Sequence, residues 1–341
     1  MKRKDFYFFV TPSLIMMILF IALPLLTVFK QSFIVTQNIF EEVKVESCTP
    51  GFLKQICKTT IETKPKLDDN GKLITKSVFI GLESYKSLIR YDKIKKAFND
   101  LSFRELKNVD FWKAFRFTVI FCLVTLPLVI FFGLLIALTV NNLARSLKGP
   151  VIFISLLPFI ITPIIGALSI RWLFIGDGIL IQLLEFLMNK DVALFANSWT
   201  LELLMVIYRV WHVAPFAFIV FYAGLQTLNK ETLESSIIDG ANRFQRLRFI
   251  IIPHLMPLIV FVALIHLMDS YRVFEEIIAF SSQAYVISLQ WLTYDFLVPD
   301  ETGNRLITSA STSAMLTMIG VTILLTPLLR QTWGDYKEGR L

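Results

Sequence analysis

Long apolar runs separated by polar stretches set the pattern of this chain: Phe6 to Phe29, Phe115 to Val140, Val151 to Phe174, Leu201 to Leu225, Leu255 to Phe280 and Ile307 to Leu329. A helix needs about 20 apolar residues to cross the hydrocarbon core. Each run meets that length, so the pattern predicts an all-α integral membrane protein with six transmembrane helices. The third run contains Pro158 and Pro163, which bend or break a helix but are tolerated where neighbours take up the freed carbonyls. Between the first and second runs lies the only long polar stretch, about Lys30 to Lys113. It begins extended and carries Asp68-Asp69-Asn70-Gly71, a usable hairpin turn, so a small subdomain with a hairpin is expected there.

Composition agrees with membrane residence. Of 341 residues, 55% are hydrophobic and 18% charged, with mean hydropathy +0.63, more apolar than a soluble core needs. The net charge of +7 would suggest nucleic acid in a soluble protein, but its distribution is topological. With the N-terminus inside, the short inner segments hold Lys2, Arg3, Lys4, Arg145, Lys148, Lys230, Arg243, Arg246, Arg248, Arg330, Lys337 and Arg340, whereas the short outer loops hold only Lys190 and Arg305. Positive-inside asymmetry therefore places both termini in the cytoplasm, and nucleic acid is not implied. The first run follows basic residues as a secretory signal does, but it is about twice a signal's apolar length and lacks a clear small-residue cleavage site, which makes it an uncleaved span.

The same topology puts Leu228 to Pro253, LNKETLESSIIDGANRFQRLRFIIIP, in the cytoplasm. Asn229 can cap a short helix with Glu231 in its first turn, and Gly240 stands where a left-handed residue would end it. Asn242 can cap a second short helix. An elbow of this kind, held between two spans, can receive a push from a soluble partner.

This stretch resembles the EAA loop of binding-protein-dependent ABC importer permeases, whose pattern is Glu-Ala-Ala, three residues, Gly, nine residues, Ile, one residue, Leu-Pro. Here it reads Glu234, Ser235, Ser236, then Gly240, Ile250, Ile252 and Pro253 with every spacing kept; the two serines and Ile252 are the departures. Further similarities follow along the chain. Gly81-Leu82-Glu83-Ser84-Tyr85 is similar to a segment preceding the second span of sugar permeases, with Tyr91 to Val109 reading as an insertion. Phe111-Trp112-Lys113-Ala114 matches the entry to that span, Trp211 with Pro215-Phe216 matches the fourth, and Tyr271 to Glu275 the fifth. The resemblance is closest to the carbohydrate subgroup related to maltose and glycerol-phosphate permeases.

What the resemblance implies is a type I importer permease with an enlarged first extracytoplasmic loop, in the cytoplasmic (inner) membrane of a prokaryote. Its organisation would be residues 1–29 as tail and first helix, 30–113 as the outer loop, 114–330 as a five-helix core with the coupling loop 228–253, and 331–341 as a cytoplasmic tail. Its implied partners are ABC ATPase subunits, a second permease subunit, a solute-binding protein and a sugar or polyol, with lipid around it. Glu234, Ser235, Ser236, Asp239, Gly240, Ala241, Ile250 and Pro253 would couple to the ATPase, Glu234 toward a basic residue there. A charged solute such as glycerol phosphate is the alternative cargo.

No phosphate-cradling Gly-x-x-x-x-Gly-Lys-Ser/Thr occurs, so ATP and Mg would belong to the partner ATPase and no cofactor to this chain. His212, His254 and His266 are too scattered for a metal motif, and no acidic or metal motif of a membrane glycosyltransferase is present. Ionisable groups inside spans cost at least about 2.5 kcal/mol at mid-membrane and so face a cavity or a partner. Glu202, Arg209, His212 and Phe216 on the fourth run, and His266, Asp269, Arg272 and Glu276 on the fifth, have the spacings of one helical face. With Trp211 and Tyr271 they read either as the lining of a substrate route or, for Arg209 and Asp269, as a structural ion pair at one depth. Cys48 and Cys57 lie in the outer loop, where either a disulfide or two free thiols fits; Cys122 sits in a span.

Overall fold

Prolines dictate where the long helices widen or break. The computed structural model describes residues 3–38, 40–50, 55–66, 75–100, 104–299 and 304–337. In it the first apolar run forms α1 (Arg3–Met17), a π-helical turn (Ile18–Ala22) and α2 (Leu23–Gln31) without interruption. The π turn stands just before Pro24. Proline lacks an N–H and its ring presses on the carbonyl four residues back, and a widened turn relieves both. The same device recurs at Leu247–Ile251, ahead of Pro253.

Residues 1–91 with 296–315 form one compact unit, and 92–295 with 316–341 another. In the first unit the chain leaves α2 as β1 (Ile34–Asn38), β2 (Phe40–Pro50), β3 (Gln55–Pro65) and β4 (Thr75–Phe79), then enters α3 (Glu83–Ile89). The fold is therefore mostly helical rather than all-α: β-branched residues such as Val43, Val45, Ile56 and Ile61 favour strands. Antiparallel β2 pairs with β3, and β1 with β4. This corrects the hairpin expected around Asp68 to Gly71. That turn lies outside the described residues, but the strands on either side of it pair with β2 and β1 instead of each other. The β2–β3 register sets Cys48 directly opposite Cys57; their side chains lie outside the described ones. Tyr85 and Ser84 on α3 bond to Ser32 (2.8 Å) and Thr312 (2.7 Å), which gives the Gly-Leu-x-x-Tyr segment a fastening role.

The second unit runs through α4 (Tyr91–Asn99, from Asp92 onward), a 3-10 turn (Leu106–Asn108), α5 (Asp110–Asn141), α6 (Arg145–Ile160), α7 (Pro163–Phe174), α8 (Ile179–Met188) and α9 (Ser198–Gln226). It continues with α10 (Lys230–Ile238), α11 (Arg243–Arg246), α12 (Ile252–Tyr271), α13 (Glu275–Ala279) and α14 (Leu289–Asp295), and ends on the later part of α15 (Ile307–Lys337). Helices α5 and α9 run parallel. Arg116 meets Glu202, a methyl built on Gly133 would lie 2.5 Å from Ala217 Cβ, and Asn141 bonds Gln226 at 3.0 Å. Helix α12 is antiparallel to α9, since Leu255 packs on Gly224 while Asp269 meets Arg209.

Two parallel neighbours require the chain between them to return, and α6 with α7 makes that return. The pair is bent by 94°. Thr162 is extended (φ −61°, ψ 141°) as a residue before proline must be, and Pro163 then starts α7. Among the described residues five helices are long and apolar enough to cross a membrane, or six with the bent pair counted as one span. The fifth predicted run is shorter than expected. Helix α12 stops at Tyr271, the backbone turns through Phe274, and α13 is a separate piece, so positions 266, 269, 272 and 276 do not share one continuous helix.

Candidate functional site

The elbow between α9 and α12 forms from local signals. Asn229 Oδ1 accepts from the Glu231 N–H at 2.9 Å and opens α10. At its other end Gly240 has φ +79°, and the N–H groups of Gly240 and Ala241 return to the carbonyls of Ile237 (3.0 Å) and Ser236 (2.9 Å). This paired closure satisfies carbonyls that the helix end would otherwise orphan, and only glycine adopts its left-handed backbone without strain. Asn242 then caps α11 in a reciprocal box: its side chain accepts from Gln245 N–H, and Gln245 Oε1 accepts from Asn242 N–H, both at 2.8 Å.

Of the residues expected to couple, Glu234, Ser235, Asp239, Gly240 and Pro253 are exposed, Ala241 and Ile250 half-buried, and Ser236 buried with its hydroxyl on the Leu233 carbonyl. The elbow also bares large apolar groups: Ile238 is 86% exposed and Phe244 67%.

The second candidate lies where α9, α12 and α13 meet. Arg209, 3% exposed, places Nη1 2.7 Å from Asp269 Oδ2 and Nε 2.9 Å from Glu276 Oε1. The first contact is an aligned hydrogen bond. The second is a charge contact off the N–H line, and neither oxygen of Glu276 has an aligned donor. One buried cation thus faces two carboxylates in different settings: the Asp269 side chain is half-exposed, whereas Glu276 is sealed. Phe121 lies beneath the guanidinium at 5.8 Å.

The two histidines act between helices. His266 Nε2 is 2.9 Å from Thr125 Oγ1 and 3.1 Å from Ser270 Oγ, buried between α5 and α12. His212 Nε2 donates to the Ile161 carbonyl at 2.9 Å, and Tyr208 OH donates to the Pro163 carbonyl at 2.6 Å. Both carbonyls sit at the 94° break, so α9 supplies the partners that the broken span loses. Tyr208 was not singled out in the sequence, although it stands four residues before His212 and so on the same helical face.

Trp211 and Tyr271 do not join this cluster, which corrects their expected place beside it. Each is two positions from a charged member, about 200° around a helix. Trp211 instead lines an apolar groove of about 530 Å³ with Leu128, Ile154, Pro158, Ile207 and Pro215. Tyr271 is buried, its hydroxyl against Gly320. Arg272, three positions past Asp269, is exposed. Glu202 pairs with Arg116 and Phe216 stacks on Phe159, at 5.7 Å between centroids. At the end where α5 begins, the Asp295 carboxyl is held above the usual range, first by partial burial and then by the charge of Asp110.

No protein-family model matches the chain. It is 30% identical over 179 residues to a protein of Sinorhizobium fredii named "Probable ABC transporter permease protein", covering 50% of this chain and 55% of that one. It is 29% identical over 175 residues to the trehalose/maltose transport system permease protein of Thermococcus litoralis, covering 51% and 59%. Over about half its length the chain is similar to proteins named as ABC transporter permeases. The matches span little more than half the length of these relatives. A chain in the crystal structure of a bacterial ABC transporter importing the acidic polysaccharide alginate shares the fold over 96% of both chains, with TM-score 0.68 at 17% identity. A second structure, of a bacterial alginate ABC transporter in complex with an alginate pentasaccharide-bound periplasmic protein, shares the fold over 72% of this chain and 83% of that one, at TM-score 0.56 and 20% identity.

Proposed function

We propose that this chain is the transmembrane permease subunit of an ATP-driven importer for a sugar or polyol. On this reading it crosses the cytoplasmic membrane six times, the α6–α7 pair counting once, with both termini inside and the strand-bearing first loop outside. A second permease subunit completes the route and an extracytoplasmic binding protein delivers the solute. ATP and Mg are held by partner ATPase subunits, which dock on the elbow with the Glu234 carboxylate toward a basic residue.

The observation that carries this reading is the elbow itself, a doubly capped helix–glycine–helix unit whose Ile238 and Phe244 are bare. The relatives' names and the alginate importer structures support the same assembly. Asp269 and Arg272 are the charged groups open enough to meet a passing hydroxylated solute, while buried Arg209 is a positioning residue that fixes the Asp269 carboxylate.

The test is ATP hydrolysis by the reconstituted complex with its binding protein, across sugars, polyols and phosphate esters. Stimulation by one class of solute, lost when Gly240 is replaced, is the expected result. Uptake that follows an ion gradient after ATP is exhausted would overturn the reading.

A further inference from the structure

Where α5 and α9 begin, Leu106, Lys107, Trp112, Lys113, Arg116 and Tyr285 wall a recess of about 630 Å³. That size is within the usual range for a small-molecule site, roughly 300 to 1,000 Å³. No carboxylate lines it among the described residues. Arg116 is matched, because Glu202 Oε1 accepts from it at 2.7 Å and from Ser198 at 3.1 Å. Lys107 and Lys113 are not: among the described residues neither ammonium group has an ion-pair or hydrogen-bond partner. They come from separate elements, Lys107 from the 3-10 turn and Lys113 from the first turns of α5, yet converge on one recess.

Lys113 is also placed against the helix dipole, whose positive end disfavours a cation near a helix start. A bound anion would reverse that penalty, since two ammonium groups and the helix end would all favour it. Trp112 is set by edge contacts to Phe111 (5.4 Å) and Phe115 (5.8 Å), and Tyr285 is 45% exposed. Two rings and two unmatched cations suit a ligand with a flat apolar face and negative oxygens. A neutral sugar presents hydroxyl donors that want carboxylate or amide acceptors, and the described lining side chains offer neither, only the Ser198 hydroxyl that already donates to Glu202.

We infer that this recess is an entry subsite for acidic saccharides, taking a sugar-acid carboxylate between Lys107 and Lys113 with the ring toward Trp112 and Tyr285. The inference rests on the import reading, in which this end of α5 faces outside, and narrows its cargo to carboxylate-bearing sugars. An anionic lipid headgroup carries the same oxygen chemistry, so the test separates the two.

The full chain is placed in nanodiscs of phosphatidylcholine alone, or with phosphatidylglycerol added, and equilibrium dialysis follows binding of tri-galacturonate and of maltotriose. Tri-galacturonate should bind in both lipids, weaken with added salt, and lose about tenfold in affinity in Lys107→Gln/Lys113→Gln, two screened ion pairs' worth. Maltotriose should bind more weakly and be indifferent to the substitutions. Equal binding of the two sugars, an unchanged double variant, or galacturonate binding abolished by phosphatidylglycerol would overturn the inference. ATP-driven uptake by the unsubstituted chain in the assembled complex, across both acidic and neutral sugars, reports separately on the import reading, which stands or falls without this subsite.

Discussion

Replacing Arg209 should damage the protein far more than replacing either of its carboxylate partners. Arg209→Gln strands Glu276, which is fully buried and has no aligned donor to fall back on. Removing one member of a buried pair typically costs about 3 to 5 kcal/mol, because the remaining charge is left uncompensated. Asp269→Asn leaves Arg209 its contact with Glu276, and the Asp269 side chain is 51% exposed, so water already shares its solvation. The loss should then fall in the range for surface pairs, about 0.2 to 1 kcal/mol. Glu276→Gln leaves the aligned 2.7 Å bond to Asp269 intact and removes the surplus negative charge, so its cost should be about 1 kcal/mol. Combining Arg209→Gln with Glu276→Gln removes both buried charges and should recover most of what the arginine substitution loses. The assay is the apparent thermal midpoint of the purified chain, where the single arginine variant should fall on the order of 5 to 10 °C. If Arg209→Gln melts no earlier than Asp269→Asn, or the double variant no later than the arginine single, the three groups are not coupled as their distances require.

Other consequences can be checked independently. Gly240→Val should leave the protein inserted but uncouple solute from ATP hydrolysis. A Cβ there meets nothing within 4 Å, so the effect would come from the φ of +79° alone, about 1 to 2 kcal/mol against the left-handed backbone; normal stimulation by solute would contradict it. Gly133→Ala should separate α5 from α9 and cost about 1 to 3 kcal/mol by overpacking, because its new methyl meets Ala217 Cβ at 2.5 Å and the Phe218 backbone nitrogen at 3.0 Å; an unchanged thermal midpoint would count against the parallel packing. Tyr208→Phe should loosen the α6–α7 break by about 1 kcal/mol through its lost bond to Pro163, read as faster hydrogen exchange at residues 161–166. Nonreduced peptide mapping of protein from an oxidising compartment should find Cys48 linked to Cys57, since directly opposed strand residues have Cα atoms about 4.5 to 5.5 Å apart, inside the disulfide range; two free thiols would refute the pairing.

What the sequence made legible was whatever short-range chemistry decides. The caps at Asn229 and Asn242 and the left-handed Gly240 depend on residues within four positions, and all are present. Arg209 and Asp269 meet at 2.7 Å, and that their depths agree is legible because rise per residue is nearly constant along a helix. Failures came where a helix was assumed to continue. Carrying the fifth run through to Phe280 hid the turn after Tyr271, and with it the reason Glu276 reaches Arg209 from a separate short helix. Depth without azimuth likewise put Trp211 and Tyr271 beside charged neighbours that point the other way. The strand pairing in the first loop was out of reach for another reason: a good turn sequence says where a chain can reverse, but partner choice depends on long-range register.

The ties around the elbow determine what a push upon it can move. The last turn of α9 and the first of α12 are joined across it, Thr227 and the Gly224 carbonyl both meeting His254, with Leu255 and Leu258 packed over Gly224. Further along, Arg209 to Asp269 fastens the same two helices. Joined at both places, α9 and α12 cannot slide past one another without breaking a charged contact, so a displacement of the elbow should carry them as one body. The parallel α5 is fastened to α9 along its whole length, by Arg116 to Glu202 at one end and Asn141 to Gln226 at the other, and would move with them. The element free to respond differently is the α6–α7 pair, bent by 94° and held to α9 near the break by single hydrogen bonds from His212 and Tyr208 and by the Phe159–Phe216 stack. A break whose carbonyls are satisfied by a neighbouring helix can change angle by exchanging those partners for water, at far less cost than unpacking a continuous span. If the chain works as the proposed importer subunit, its conformational change should concentrate at Ile161 to Pro163, where the proline that interrupts the third apolar run leaves the α6–α7 angle adjustable.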